Sequence, residues 1–161
     1  MSGRNTSLCL AVILWAGSAV FSTPVAGADN SRLNNGVVTN VDTIKKQAGC
    51  TTSLRINPQL QLAAQQHTID VLNHRDLDGD IGSDGSTAHD RAENTGYRGT
   101  VAETTAINQS LAINGLDVIR NWYYRPDYYA IMSNCANTQI GVWSENSMDR
   151  SVVVAVYGQP G

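Results

Sequence analysis

The run Asp80-Ile-Gly-Ser-Asp-Gly-Ser86, followed by His89-Asp-Arg91, Gly96-Tyr97 and Val101-Ala-Glu-Thr-Thr-Ala-Ile107, decides how this chain is read. Residues 75–85 hold three glycines and the four aspartates Asp76, Asp78, Asp80 and Asp84, so they read as a turn-rich loop. Residues 86–94 read as a helix stopped by Gly96. Residues 99–107 read as a short strand or extended segment.

Upstream, Asn57-Pro58 is a helix start: a capping residue followed by proline in the first turn. That helix runs to about Asn73, and Leu60, Ala64, His67 and Val71 fall at helical spacing on one buried stripe. Residues 41–48 read as a short helix with Asn40 as its cap; residues 29–39 are polar and read as a flexible segment. Downstream, Ser110 is the expected cap of a helix reaching Tyr124, with Leu111, Gly115, Val118 and Trp122 on one face and Ala112, Leu116 and Ile119 beside them. Pro126 stops it and begins a short helix through Met132. Residues 139–143 and 151–157 are rich in β-formers and read as a hairpin. Helices early and strands late predict an α+β domain with helices packed on an antiparallel sheet.

Residues 1–28 read as a secretory signal peptide. Arg4 gives a basic start, residues 8–20 are largely apolar but shorter than the ~20 residues of a membrane-spanning helix, and Ala26-Gly-Ala28 predicts cleavage between Ala28 and Asp29. The competing reading is an uncleaved anchor. No second membrane span is expected. The chain has 11 Lys/Arg, one of them in the leader, and 14 Asp/Glu, so the remaining 133 of 161 residues carry a net charge of −4. An acidic chain without a basic stripe argues against nucleic acid and against docking on an anionic membrane. Beyond the leader only Cys50 and Cys135 remain. In an oxidising compartment they allow one internal disulfide; the other possibility is two buried thiols.

The order and spacing of these motifs resemble the CAP domain, the superfamily of cysteine-rich secretory proteins, venom antigens and plant pathogenesis-related proteins. The bacterial form carries Ala-x-x-His on an early helix, here Ala64-Gln-Gln-His67. Next come a Gly/Ser-rich loop, an arginine and Gly-Tyr, here residues 80–86, Arg91 and Gly96-Tyr97. The Gly-Glu-Asn-Ile-Ala motif is matched by residues 102–106, with Glu103 in the acidic position, and Trp122 and Ile140-Gly-Val142 complete the set. Gln-Ala-Gly-Cys50, Asn121-Trp-Tyr-Tyr124, Ala130-Ile-Met132 and Trp143-Ser-Glu-Asn146 are similar to a mycobacterial secreted branch. The resemblance implies an α-β-α sandwich, with a small antiparallel sheet between helical layers, over residues 40–161.

It also implies a cavity lined by two histidines and two acids, at which typical members can hold zinc. Here the first histidine position is Asp80. Glu103 keeps the first acid, the second acid falls on Arg125, and the second histidine falls on Tyr128 by the bacterial spacing or on Asn137 by the eukaryotic one. The expected cavity set is therefore Asp80, Glu103, Arg125, Tyr128 and His67, with no two-histidine metal site and no cofactor. Arg125 is expected to bridge Asp80 or Glu103, since a guanidinium suits bidentate pairing.

Other constellations are weaker. Asp76-x-Asp78-x-Asp80 invites a calcium loop, but an EF-hand needs glycine and glutamate where this chain has Ile81 and Thr87, so a solvated acidic turn is favoured. His67 reads as a core histidine bonded to backbone or a carboxylate; His74 and His89 read as surface residues. No Gly-x-Ser-x-Gly turn is present and no catalytic residue is assigned, although Glu103 with His67 offers an acid–base pair. The reading is a secreted, monomeric binding or interaction module of the extracellular space or cell envelope, more an interaction protein than an enzyme. Its partner is an unassigned small hydrophobic ligand, glycan or protein. A hydrolase or protease using Glu103, and a divalent-metal-binding CAP protein, are the alternatives.

Overall fold

The computed structural model describes residues 30–161; the predicted leader and its Ala28/Asp29 cleavage point lie outside the described residues. Among the described residues, five helices enclose a four-stranded sheet: α1 (Ser31–Gln47), β1 (Arg55–Ile56), α2 (Pro58–Asn73), α3 (Ala88–Asn94), β2 (Gly99–Asn108), α4 (Gly115–Tyr123), α5 (Pro126–Ser133), β3 (Gln139–Asn146) and β4 (Ser151–Pro160). The sheet order is β1-β3-β4-β2. The pairs β2/β4 and β3/β4 are antiparallel, and the two-residue β1 adds in parallel to β3, a departure from the expected all-antiparallel sheet.

β4 explains the layering. Its buried run alternates between faces as pleating requires. Val153, Ala155 and Tyr157 point to the α1/α4/α5 side with Val37, Val41, Trp122 and Met132. Val152, Val154 and Val156 point to the α2/α3 side with Leu60, Ala64, Val71 and Ala92. A central strand apolar on both faces must be covered twice, hence the α-β-α sandwich.

α2 spans the residues predicted from Asn57-Pro58. Asn57 Oδ1 accepts from Gln59 N (2.8 Å) and Leu60 N (3.2 Å), and Leu60, Ala64, His67 and Val71 are fully buried. α2 approaches β3 at Gly141, where an added Cβ would lie 2.0 Å from Gln61 N and 2.1 Å from the Leu60 carbonyl carbon. α3 begins at Thr87 with a reciprocal capping box to Asp90, and Gly96, at φ +88°, ends it.

Two expectations are corrected. Residues 31–39, read as part of a flexible segment, are the first half of α1. Their polar composition hides a stripe of Asn34, Val37, Val41 and Ile44 that is buried, and tertiary burial outweighs weak propensity. Asn40 is therefore a mid-helix residue. α4 is capped by Asn114, whose side chain accepts from Asp117 N, rather than by Ser110. The Ser110 hydroxyl bonds the Ala112 carbonyl within the loop, leaving Leu111 outside the helix and Leu116 on its exposed side.

A disulfide joins Cys50 to Cys135, tying the end of α1 to the end of α5. Beside it the buried Lys45 Nζ donates to the Asn134 carbonyl at the C-terminus of α5.

Candidate functional site: a sealed carboxylate beneath an open cleft

Glu103 sits in mid-β2 on the α2/α3 side of the sheet. Two helices aim donors at it. Arg91 from α3 places Nη2 3.2 Å from Oε1 and 3.1 Å from Oε2, and His67 from α2 places Nε2 3.3 Å from Oε1. The Glu103 and His67 side chains are 0% exposed and that of Arg91 is 6%. Burial pushes the Glu103 carboxyl up to about 7, against the pull of Arg91, and pushes the His67 imidazole down.

The tautomer of His67 follows from its partners. Nε2 lies 2.9 Å from the Gly79 carbonyl. A carbonyl only accepts, so Nε2 carries the proton, while Nδ1 is buried without a partner. Arg91 also donates to the Asp80 carbonyl (2.7 Å) and, through Nη1, to the Ser86 carbonyl (2.8 Å) and Oγ (3.2 Å). Elsewhere in this loop the buried Arg150 donates to the Leu77 carbonyl (2.9 Å), and Asp70 accepts from Ser83 N and Oγ. The acidic loop is thus hung by its carbonyls on buried donors from α2, α3 and the β3–β4 turn.

Above Glu103 lies a cleft of about 560 Å³. Asp78, Gly79 and Asp80 form one wall and Arg125, Asp127, Tyr128 and Ile131 the other, with residues 101–103 of β2 as floor. The sequence set Asp80, Glu103, Arg125 and Tyr128 is gathered here, with His67 behind the floor. The Glu103 carboxylate is sealed beneath the cleft: the residue is 4% exposed and its side chain 0%.

The pairing differs from expectation. Arg125 does not bridge Glu103 or Asp80. Its Nη2 bonds Asp127 Oδ2 at 2.7 Å, and its guanidinium lies 3.7 Å over the Tyr128 ring. An exposed carboxylate two residues away is an easier partner than one already occupied by Arg91. The sequence reading used Arg91 only as a motif match and missed it as the partner of Glu103. The signal available was a lone arginine on a short helix beside the loop. Tyr128, at the bacterial histidine position, faces the cleft, whereas Asn137 is buried and donates to the Ile131 carbonyl.

The donor set does not fit the zinc expected of two-histidine members. The two histidine positions carry an exposed carboxylate and a phenol, Glu103 is committed to Arg91, and among the described residues no three His, Cys, Asp or Glu side chains gather as a metal set. His74 and His89 are exposed and stand apart from Glu103: His74 Nδ1 meets Asp70 Oδ1 at 2.8 Å, and His89 lies on the outer face of α3.

A second, more apolar groove of about 630 Å³ runs between α1 and the start of α4, lined by Arg32, Leu33, Gly36, Asn40, Ile113 and Leu116 among others. The aromatic group divides: Trp122 is core, whereas Tyr123 meets Tyr124 and Tyr129 edge-on at 5.5 and 5.1 Å nearer the surface.

The cysteine-rich secretory protein (CAP) family profile matches residues 32–157; the chain belongs to that family. Solved structures share its fold. An outer surface protein from Borrelia burgdorferi superposes with a TM-score of 0.72 at 16% identity, over 84% of this chain and 98% of that one. An extracellular protein containing a SCP domain from Bacillus anthracis gives 0.66 at 15% identity, over 86% of this chain and 45% of that one. A cysteine-rich secretory protein from Staphylococcus aureus gives 0.62 at 13% identity, over 82% and 40%. Comparison with curated protein sequences found no match. Among the described residues no helix is long and apolar enough to cross a membrane.

Proposed function

We propose that this protein is an exported, non-enzymatic binding module that takes a polar ligand, glycan- or peptide-like, in the cleft between residues 78–80 and α5. One observation carries this reading: the cleft is open and polar-walled, while the carboxylate that would do chemistry beneath it is sealed and paired. Asp78 and Asp80 offer acceptors, and the Arg125–Asp127 pair lies beside them with the guanidinium over an aromatic ring. Export is supported by the predicted leader, by the disulfide, and by fold neighbours described as outer-surface and extracellular. The short runs at 121–124, 130–132 and 143–146 support a mycobacterial-like secreted branch.

The hydrolase alternative has one observation in its favour, the 3.3 Å approach of His67 to Glu103, and one against, the 0% exposure of both side chains. Ligand-observed NMR with soluble glycans and short peptides, alongside turnover assays on ester, peptide and glycoside substrates, separates the two. Binding reduced tenfold or more by Arg125→Ala, with no turnover, is expected. Turnover abolished by Glu103→Gln would establish the hydrolase instead.

A further inference from the structure

The wall of the cleft formed by residues 78–80 is not held by its own side chains. Gly79 and Asp80 are fixed through their carbonyls, one to His67 Nε2 and the other to Arg91 Nη2. The same two donors face Glu103. His67 Nε2 has one hydrogen. It can donate to the Gly79 carbonyl, or it can give up that hydrogen and accept one from a protonated Glu103 Oε1. It cannot do both. We propose that Glu103, His67 and Arg91 form a proton-operated latch, in which the Glu103 carboxylate keeps His67 donating to Gly79 and protonation of Glu103 releases the Gly79 carbonyl, while Arg91 still holds Asp80.

The step balances as a proton relay. A solvent proton arrives on Glu103 Oε1 and is donated toward His67 Nε2. The Nε2 proton is lost as Nδ1, now without a partner, takes one up, and the Gly79 carbonyl is left to solvent. Arg91 at the same moment loses its counter-charge and keeps only its carbonyl and hydroxyl acceptors. The groups facing Glu103 are few. α2 brings His67, with Asp70 one turn on. α3 brings Arg91, the loop brings Asp80, and β2 itself brings Thr105. Across the cleft stand Tyr128, Arg125 and Asp127 from α5 and its cap, and the β4 residue opposite Glu103 is the apolar Val156. Burial sets Glu103 near neutral pH, at about 7, so the latch works in a physiological range. The proposal does not depend on what the cleft binds.

The test is an NMR titration of the backbone amides of residues 79–86 between about pH 5.5 and 8.5, a window that spans the Glu103 midpoint, in the wild type and in Glu103→Gln, with the imidazole nitrogens of His67 read in parallel. In the wild type the Gly79, Asp80 and Ile81 amides are expected to shift with a common midpoint near 7, and His67 to change tautomer at that midpoint. In Glu103→Gln the loop shifts are expected to be flat. A wild-type loop that does not titrate, or a variant that titrates as the wild type does, overturns the proposal. Should the variant not fold, the wild type alone decides: a His67 that stays protonated on Nε2 throughout while the loop shifts overturns it equally.

Discussion

Replacing Arg91 by alanine would strip Glu103 of its ion pair and the acidic loop of two carbonyl anchors. Breaking a buried pair from one side typically costs about 3–5 kcal/mol. The loss should be larger at about pH 8.5 than at about pH 5.5, because Glu103 is already neutral at the lower pH; urea melts at both check this. Glu103 itself gives a signed pH dependence. Its carboxyl is raised from 4.5 to about 7 in the folded protein, so the stability it contributes is full below its unfolded value and is lost as pH rises through the folded one. The loss is on the order of 3 kcal/mol. Glu103→Gln should flatten this decline, which lies between about pH 4.5 and 7. His67 acts with the opposite sign: its value is lowered by burial, so its contribution is lost as pH falls below its ordinary range. The pairing of Arg91 with Glu103 was not legible in the sequence, because the two meet only after α3 and β2 fold together, whereas the sequence does offer His67 as a partner for Glu103. What was legible was that Glu103 stood at a motif position and that His67 lay on a buried stripe.

α2 is the element on which the site depends, since it supplies His67 and packs against both β3 and β4. It was readable to the residue from Asn57-Pro58, because cap and proline act locally. Asn57→Ala should cost about 1 kcal/mol, measured as a shift in denaturation midpoint at constant slope. Gly141→Ala should cost more. The added methyl meets helix backbone at 2.0 Å, which no rotamer change relieves, so the helix must move from the sheet; overpacking of this kind costs about 1–3 kcal/mol and sometimes more. A thermal melt indistinguishable from wild type would show that α2 sits further from β3 than described. α1 was the element least legible, as its asparagines and Gly36 are poor helix formers and only the sheet beneath shows why Val37 and Val41 must be buried.

At the scale of the whole molecule, the cysteines, the late hairpin and the motif order were enough to indicate a disulfide-stapled α-β-α sandwich, while the state of the cavity was not, since Arg125 chose a neighbour two residues away over the carboxylates assigned to it. The Cys50–Cys135 link closes a sequence separation of 85 residues. Loop-closure entropy assigns a link of that length roughly 4–5 kcal/mol, so Cys50→Ser/Cys135→Ser should lose a large part of the stability of a domain this size. Chemical denaturation in an oxidising buffer, with and without the link, measures it. The central claim is that the family scaffold here encloses a sealed, paired carboxylate rather than presenting a reactive one. A carbon NMR titration of the Glu103 carboxyl tests that claim most directly. A midpoint near 7, unchanged in Arg125→Ala, is the predicted result. A midpoint near the ordinary glutamate value of about 4.3, or one that moves with Arg125, would place the carboxylate in the open cleft and contradict the account.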